Sequence, residues 1–336
     1  MSNPKKNKTN AVLYKEMTID MKRPKIMIIM LLINMFLAPI SLCFFMGIMI
    51  SSVAGTCSYR VLAWYLIAMV FVEATLLLFL TPAITAGSVS LEKERQTLDV
   101  LLTTRMTPWE IIKGKYGSDF IFLSLMVIST FPLLAIVFIY GGISFFQLLY
   151  IGLVLLVFIG FISCFGIFFS ALTKNTIVSV ILTYLFVMIY ISTTFSLPFV
   201  IQATIAMVNE MLYTDRNAFA WITDPHFING DFLMMLGTFN PILMIFDVLG
   251  NTIGYDFGDL YSVKGMISLC GTDVLPHMTQ NNILMKLWTP ISMIEMILIS
   301  FGVLKLSAII LNPVKGKVKD KKKNVRTTTQ QQQQQQ

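Results

Sequence analysis

The sequence predicts an all-α integral membrane domain with six transmembrane helices, and three observations carry that prediction. Hydrophobic residues make up 56% of the chain and charged residues 13%, with a mean hydropathy of +0.74. A soluble fold of 336 residues does not need that balance. The apolar residues also fall in long runs instead of recurring on one helical face, and basic residues crowd the two ends of the chain.

The elements follow in order. Residues 1–9 are polar and are expected to be a disordered tail. Within 10–25, Val12, Leu13, Met17 and Met21 recur at helical spacing, while Lys15, Glu16, Lys22, Arg23 and Lys25 fill the remainder. That pattern suits an amphipathic helix lying in the membrane interface. A helix needs about 20 predominantly apolar residues to cross the hydrocarbon core. Runs at 26–53, 61–85, 120–140, 145–172 and 177–208 meet that requirement, and 287–311 is interrupted only by Glu295 and Lys305. The first run is too long for the apolar part of a cleavable leader, so it is expected to remain as a span.

Orientation comes from the basic residues. Lys5, Lys6, Lys8, Lys15, Lys22, Arg23 and Lys25 precede the first span, and Lys315, Lys317, Lys319, Lys321, Lys322, Lys323 and Arg326 follow the last. Both termini are therefore expected on the cytoplasmic side, with 312–336 a basic, glutamine-rich tail. The segment 209–282 has the opposite bias: Glu210, Asp215, Asp224, Asp231, Asp247, Asp256, Asp259 and Asp273 face only Arg216 and Lys264. It is read as an extracellular loop. Its apolar stretch 232–249 is broken by Asn240-Pro241, and a further crossing there would export the lysine-rich tail. A re-entrant pair of half-helices is the expectation.

Residues 86–117 form a charged, helix-prone segment between the second and third spans. Leu91, Leu98, Leu101 and Leu102 share roughly one helical face, with Glu92, Glu94, Arg95 and Asp99 on the rest. Thr107-Pro108-Trp109-Glu110 then reads as a helix start: Thr107 caps, Pro108 suits the first helical position, and Glu110 closes a capping box. A charged helix in such a loop often does no more than solvate it. The particular residue order argues for more.

That order resembles the ABC type-2 transporter permeases, the membrane subunits of a large class of ATP-driven exporters. Pro82, Ala86 and Gly87 close the second span as in the family. Glu92, Glu94, Arg95, Thr97, Leu98, Leu101, Leu102, Thr104, Met106, Thr107, Ile111, Gly114 and Lys115 follow at the family's spacing. Pro132, Gly141-Gly142, Asn240-Pro241, and Asn10, Lys15 and Glu16 at the start, are similar to it too. Gln96 stands where the family often has glycine, and Ala11 where proline is common. The resemblance implies a cytoplasmic coupling helix in which Glu92, Glu94, Arg95, Thr97, Leu98, Leu101, Leu102, Thr104 and Thr107 meet an ABC ATPase subunit. It also implies a second permease half, either a copy of this chain or a paralogue. No G-x-x-x-x-G-K-[ST] stretch occurs, so ATP and Mg are expected on the partner ATPase and no catalysis in this chain.

Other candidates are fewer. Glu73 and Glu295 lie within spans, where a carboxyl is costly and should face protein or a wet cavity. Either could line the transport path or serve a structural hydrogen bond. Lys305 reads as snorkelling to the cytoplasmic face. Cys57 and Cys270 fall on the outer side, where a disulfide is permitted, whereas Cys43 and Cys164 read as packed small hydrophobes. His226 and His277 lack ligand spacing, so no metal site is expected. The basic residues flank spans and face the lipid bilayer; no nucleic-acid partner is expected. Two other functional classes stay open: a membrane anchor or sensor of an ATPase complex without transport, and an intramembrane protease. The protease lacks the intramembrane histidines its chemistry would need.

Overall fold

The computed structural model of the chain describes residues 13, 14, 18, 24–53, 59–98, 107–140, 142–212, 237–253 and 287–311. The described elements are helices: α1 Pro24–Val53, α2 Tyr59–Thr85, α3 Ser90–Glu94, α4 Pro108–Ile139, α5 Phe145–Leu172, α6 Thr176–Leu212, α7 Pro241–Ile253 and α8 Trp288–Ile310. Among the described residues six helices are long and apolar enough to cross a membrane. The spans read from the sequence at 26–53, 61–85, 145–172, 177–208 and 287–311 correspond to α1, α2, α5, α6 and α8. Leu13, Tyr14 and Thr18 are helical as well, and Leu13 lies over Gly117 of α4. Pro24 and Lys25 belong to α1, and the remainder of 10–23 falls outside the described residues, as do the two tails and most of 209–282.

Helix starts follow their caps. The Thr107 hydroxyl accepts from the Glu110 N–H, the Glu110 carboxylate accepts from the Thr107 N–H at 2.9 Å, and Pro108 opens α4. Because that start is so well made, α4 runs 32 residues, about 48 Å, against a hydrocarbon core of about 30 Å. The apolar run at 120–140 is only its inner part. Ser144 and Gln147 make a second capping box at the start of α5. Asn240 and Pro241 do the same work for α7: the Asn240 side-chain oxygen accepts from the N–H groups of Ile242 at 2.8 Å and Leu243 at 3.2 Å. With 13 residues, α7 is about 20 Å long, too short to cross the core.

Packing centres on α5, which touches α2, α4, α6, α7 and α8. Three glycines let two of these contacts close. Gly152 lies under the Phe131 ring of α4, Gly160 under Tyr116 and Phe120 of α4, and Gly166 against Thr85 of α2. Small residues admit close helix approach where lipid and protein are equally apolar. Polar groups add fixed points between spans. The Tyr65 hydroxyl donates to the Leu133 carbonyl at 2.6 Å and is 2.8 Å from the Ser41 hydroxyl, tying α1, α2 and α4. Asn34 donates to Ser129 at 3.0 Å, and Asn240 donates to the Ile191 carbonyl at 3.0 Å and to Thr194 at 2.9 Å. The outward faces of α1 (Met27, Leu31, Met35) and α6 (Ile177, Ile181, Leu185) are exposed and apolar, as lipid contact requires.

Candidate functional site

The segment after α2 turns sharply and returns to the helix ends. Thr85 closes α2, the Ala86 N–H bonds back to the Pro82 carbonyl at 3.0 Å, and α3 begins at Ser90. A helix N-terminus leaves N–H groups without intrahelical partners. Here the Ser170 hydroxyl, on α5, accepts from both Val89 and Ser90 N–H at 2.9 and 2.8 Å.

The charged residues of α3 then go to three different helices. The Lys93 ammonium donates to the Ala171 and Thr173 carbonyls at the C-terminal end of α5, where a cation complements the helix dipole. Glu94 accepts from the Thr176 hydroxyl at 2.7 Å and from the Thr176 N–H at 3.3 Å. That places a carboxylate on the N-terminal end of α6, the complementary pole. Glu92 pairs with Lys115 of α4 at 2.8 Å, with Lys115 only 3% exposed. Ser88 donates to Asp119, one turn further along α4. Through Ser90, Glu92, Lys93 and Glu94, α3 thus holds the ends of α4, α5 and α6 together.

The end of α3 is unusual. Gln96 has φ of 58°, a left-handed conformation that glycine adopts freely and a residue with a β-carbon does not. Its N–H bonds to the Lys93 carbonyl at 3.1 Å, as at a helix C-terminus closed by a left-handed residue. The Thr97 hydroxyl donates to the Glu92 carbonyl at 3.3 Å. The turn separates two parts that the leucine pattern had suggested were one helical face: Leu91 is 41% exposed while Leu98 is buried. Gln96→Gly is expected to raise thermal stability in detergent, by up to about 1 kcal/mol, since relief of the left-handed cost exceeds the extra freedom glycine has when unfolded. An unchanged or lower melting temperature would contradict this account of the turn.

Of the residues proposed to meet an ATPase, Glu92 and Glu94 are engaged by their own chain. Arg95 and Thr97 are exposed, Leu98 is buried, and Thr107 caps α4. Leu101, Leu102 and Thr104 lie outside the described residues. Sequence reading passed over Lys93, Ser170, Thr176 and Asp119, and took Lys115 only as part of a motif. Nothing local distinguishes Lys93 from any solvated lysine between two glutamates.

The intramembrane carboxyls have separate settings. Glu73 is 3% exposed and accepts from the Thr130 hydroxyl of α4, with Ile33, Leu77 and Met126 close by. Glu295 accepts from Thr238 at 2.6 Å. Asp247, on α7, accepts from Asn251 at 3.0 Å and from Thr289 of α8. Cys43 is exposed and Cys164 buried; Cys57 and Cys270 fall outside the described residues.

A family profile described as "ABC-2 family transporter protein" matches residues 62–312, from the second span to just past α8. The chain belongs to the ABC-2 transporter family. Comparison with curated proteins gives no match. As an ABC-2 protein it is a multi-pass membrane component of ABC transporters, a family associated with ABC ATPases. The α3 junction falls inside the matched region, as do α7, Glu73 and Glu295.

Proposed function

We propose that this ABC-2 protein is the permease subunit of an ATP-binding cassette exporter. It forms one wall of the translocation path with a second permease half, and it takes its driving force from a separate ATPase subunit that carries ATP and Mg. The observation that supports this reading is the attachment of α3. A short helix on the water side, bonded to the C-terminal end of α5, the N-terminal end of α6 and the first turns of α4, moves three membrane helices when it is displaced. The positive ends of the chain argue for cytoplasmic termini, which puts α3 on the same side as an ATPase, 209–282 outside, and α7 in a re-entrant position.

The inward commitments of Glu92, Lys93 and Glu94 leave Leu91 and Arg95 as exposed docking residues beside them. An exposed leucine flanked by a cation is a suitable anchor for a groove on a partner. Leu91→Asp combined with Arg95→Glu is expected to weaken co-purification with the co-expressed ATPase about ten-fold or more and to abolish ATP-driven flux, while membrane insertion is unchanged. Normal association and normal flux in that variant would overturn the assignment. Association without flux in the parent protein would favour an anchor or sensor.

A further inference from the structure

On the side of the molecule formed by α4, α5 and α8 there is an open cleft of about 320 Å³, within the range of small-molecule sites. Phe120 of α4, Leu153 and Val157 of α5, and Ile297, Phe301 and Leu304 of α8 line it. Its few polar groups are turned away. The Tyr116 hydroxyl donates to the Gly160 carbonyl at 3.3 Å, leaving its ring stacked on Phe120, and the Ser300 hydroxyl donates to the Met296 carbonyl at 2.7 Å. Such walls offer a polar solute nothing to bond and suit a hydrocarbon chain.

The mouth differs from the floor. Trp109, Lys113, Tyr116 and Phe120 recur at helical spacing on one stripe of α4, so the stripe runs from cation to apolar wall toward the membrane centre. Trp109 meets Phe301 edge to face, with ring centroids 5.8 Å apart, and the Lys305 ammonium stands 4.5 Å over the same Phe301 ring. Both Lys113 and Lys305 are exposed, and among the described residues no carboxylate pairs with either. A tryptophan and two lysines at the end of an apolar cleft match the interface, where indoles and cations meet headgroups.

We infer that this cleft holds an anionic phospholipid, its acyl chain between α4, α5 and α8 and its phosphate at Lys113 and Lys305. The charge at the mouth selects an anionic headgroup over a zwitterionic one, and the leaflet is the one on the side of α3. Naming that leaflet cytoplasmic rests on the proposed topology; the site itself does not.

The test uses the purified full-length chain in nanodiscs and two photoactivatable lipids with the same diazirine acyl chain, phosphatidylglycerol and phosphatidylcholine, at equal mole fraction. Labelled peptides identify the positions reached, without ATPase or transport in the assay. Labelling of Phe120, Leu153 and Ile297 is expected to favour phosphatidylglycerol by about five-fold for each lysine. Lys113→Gln with Lys305→Gln should reduce that to the phosphatidylcholine level, while labelling of Ile181 and Leu185 on the lipid face of α6 stays constant and certifies a folded protein. Equal labelling by the two lipids in the parent chain, or an undiminished preference in the double variant, would overturn the inference. So would loss of the preference on adding inorganic phosphate, which would assign the lysines to a free anion.

Discussion

Replacing Glu92 with leucine will destabilise the protein by about 2 kcal/mol or more, because it takes an ion-pair partner from a Lys115 ammonium that is almost wholly removed from water. Lys115 is 3% exposed and its pairing oxygen on Glu92 is 2.8 Å away. The other carboxylate oxygen, Oε2, is buried and has no hydrogen-bond partner among the described residues. An ion pair of that kind is weakly stabilising as a whole and expensive to break by halves. The double variant Glu92→Leu with Lys115→Met, which substitutes apolar side chains for both charges, is therefore expected to recover most of the loss. Denaturation of the parent and of the variants in one detergent measures the cycle. A single variant within about 1 kcal/mol of the parent would show that Lys115 is not committed to Glu92. Since this pair joins α3 to α4, the double variant also separates stability from coupling. If α3 drives the spans, it should fold normally and bind the ATPase, yet transport poorly.

The second large effect concerns the seam between α2 and α5. A β-carbon added at Gly166 would fall on the Thr85 hydroxyl and stand 2.7 Å from the Thr85 Cβ. Neither atom can yield, since the threonine belongs to the last turn of α2 and its hydroxyl donates to the Thr81 carbonyl at 2.8 Å. Gly166→Ala is expected to cost about 1–3 kcal/mol or more through overpacking. That cost outweighs the roughly 0.5–1 kcal/mol by which alanine ordinarily exceeds glycine in a helix. Thr85→Gly in the same chain should restore most of the loss by reopening the space. Gly302 supplies the contrast, together with Gly47, because among the described residues a β-carbon at either meets nothing within 4 Å. Alanine there should be neutral or slightly stabilising. If all three substitutions behave alike, the seam is not close-packed and α5 is held by something else.

Several elements were legible in the residue order because their causes lie within a few residues. The run at 145–172 became α5 with the same ends. The Thr107-to-Glu110 capping box and the helix start at Pro108 depend on groups at most three positions apart, and the Asn240-Pro241 break became the cap of α7. The number of long apolar helices followed from hydropathy alone, since water or lipid around each segment decides whether it enters the bilayer. The family resemblance rested on spacing within 82–115, and the matched region includes it.

Other features were decided only by the tertiary structure. Glu92, Lys93 and Glu94 are consecutive and look alike to any local rule, yet their partners are Lys115 on α4, carbonyls at the end of α5 and Thr176 on α6, between 23 and 82 positions away. The left-handed turn at Gln96, which divides Leu91 from Leu98, follows from the same anchoring. The roles of the spans were equally hidden. α1 and α5 are both apolar on all sides, but α5 is the centre of the bundle and α1 faces outward. Hydrophobicity places a segment in the membrane without saying which of its faces meets protein, because lipid tails are as apolar as leucine. Close approach at glycines and interhelical hydrogen bonds make that choice, and both exist only once the helices have come together.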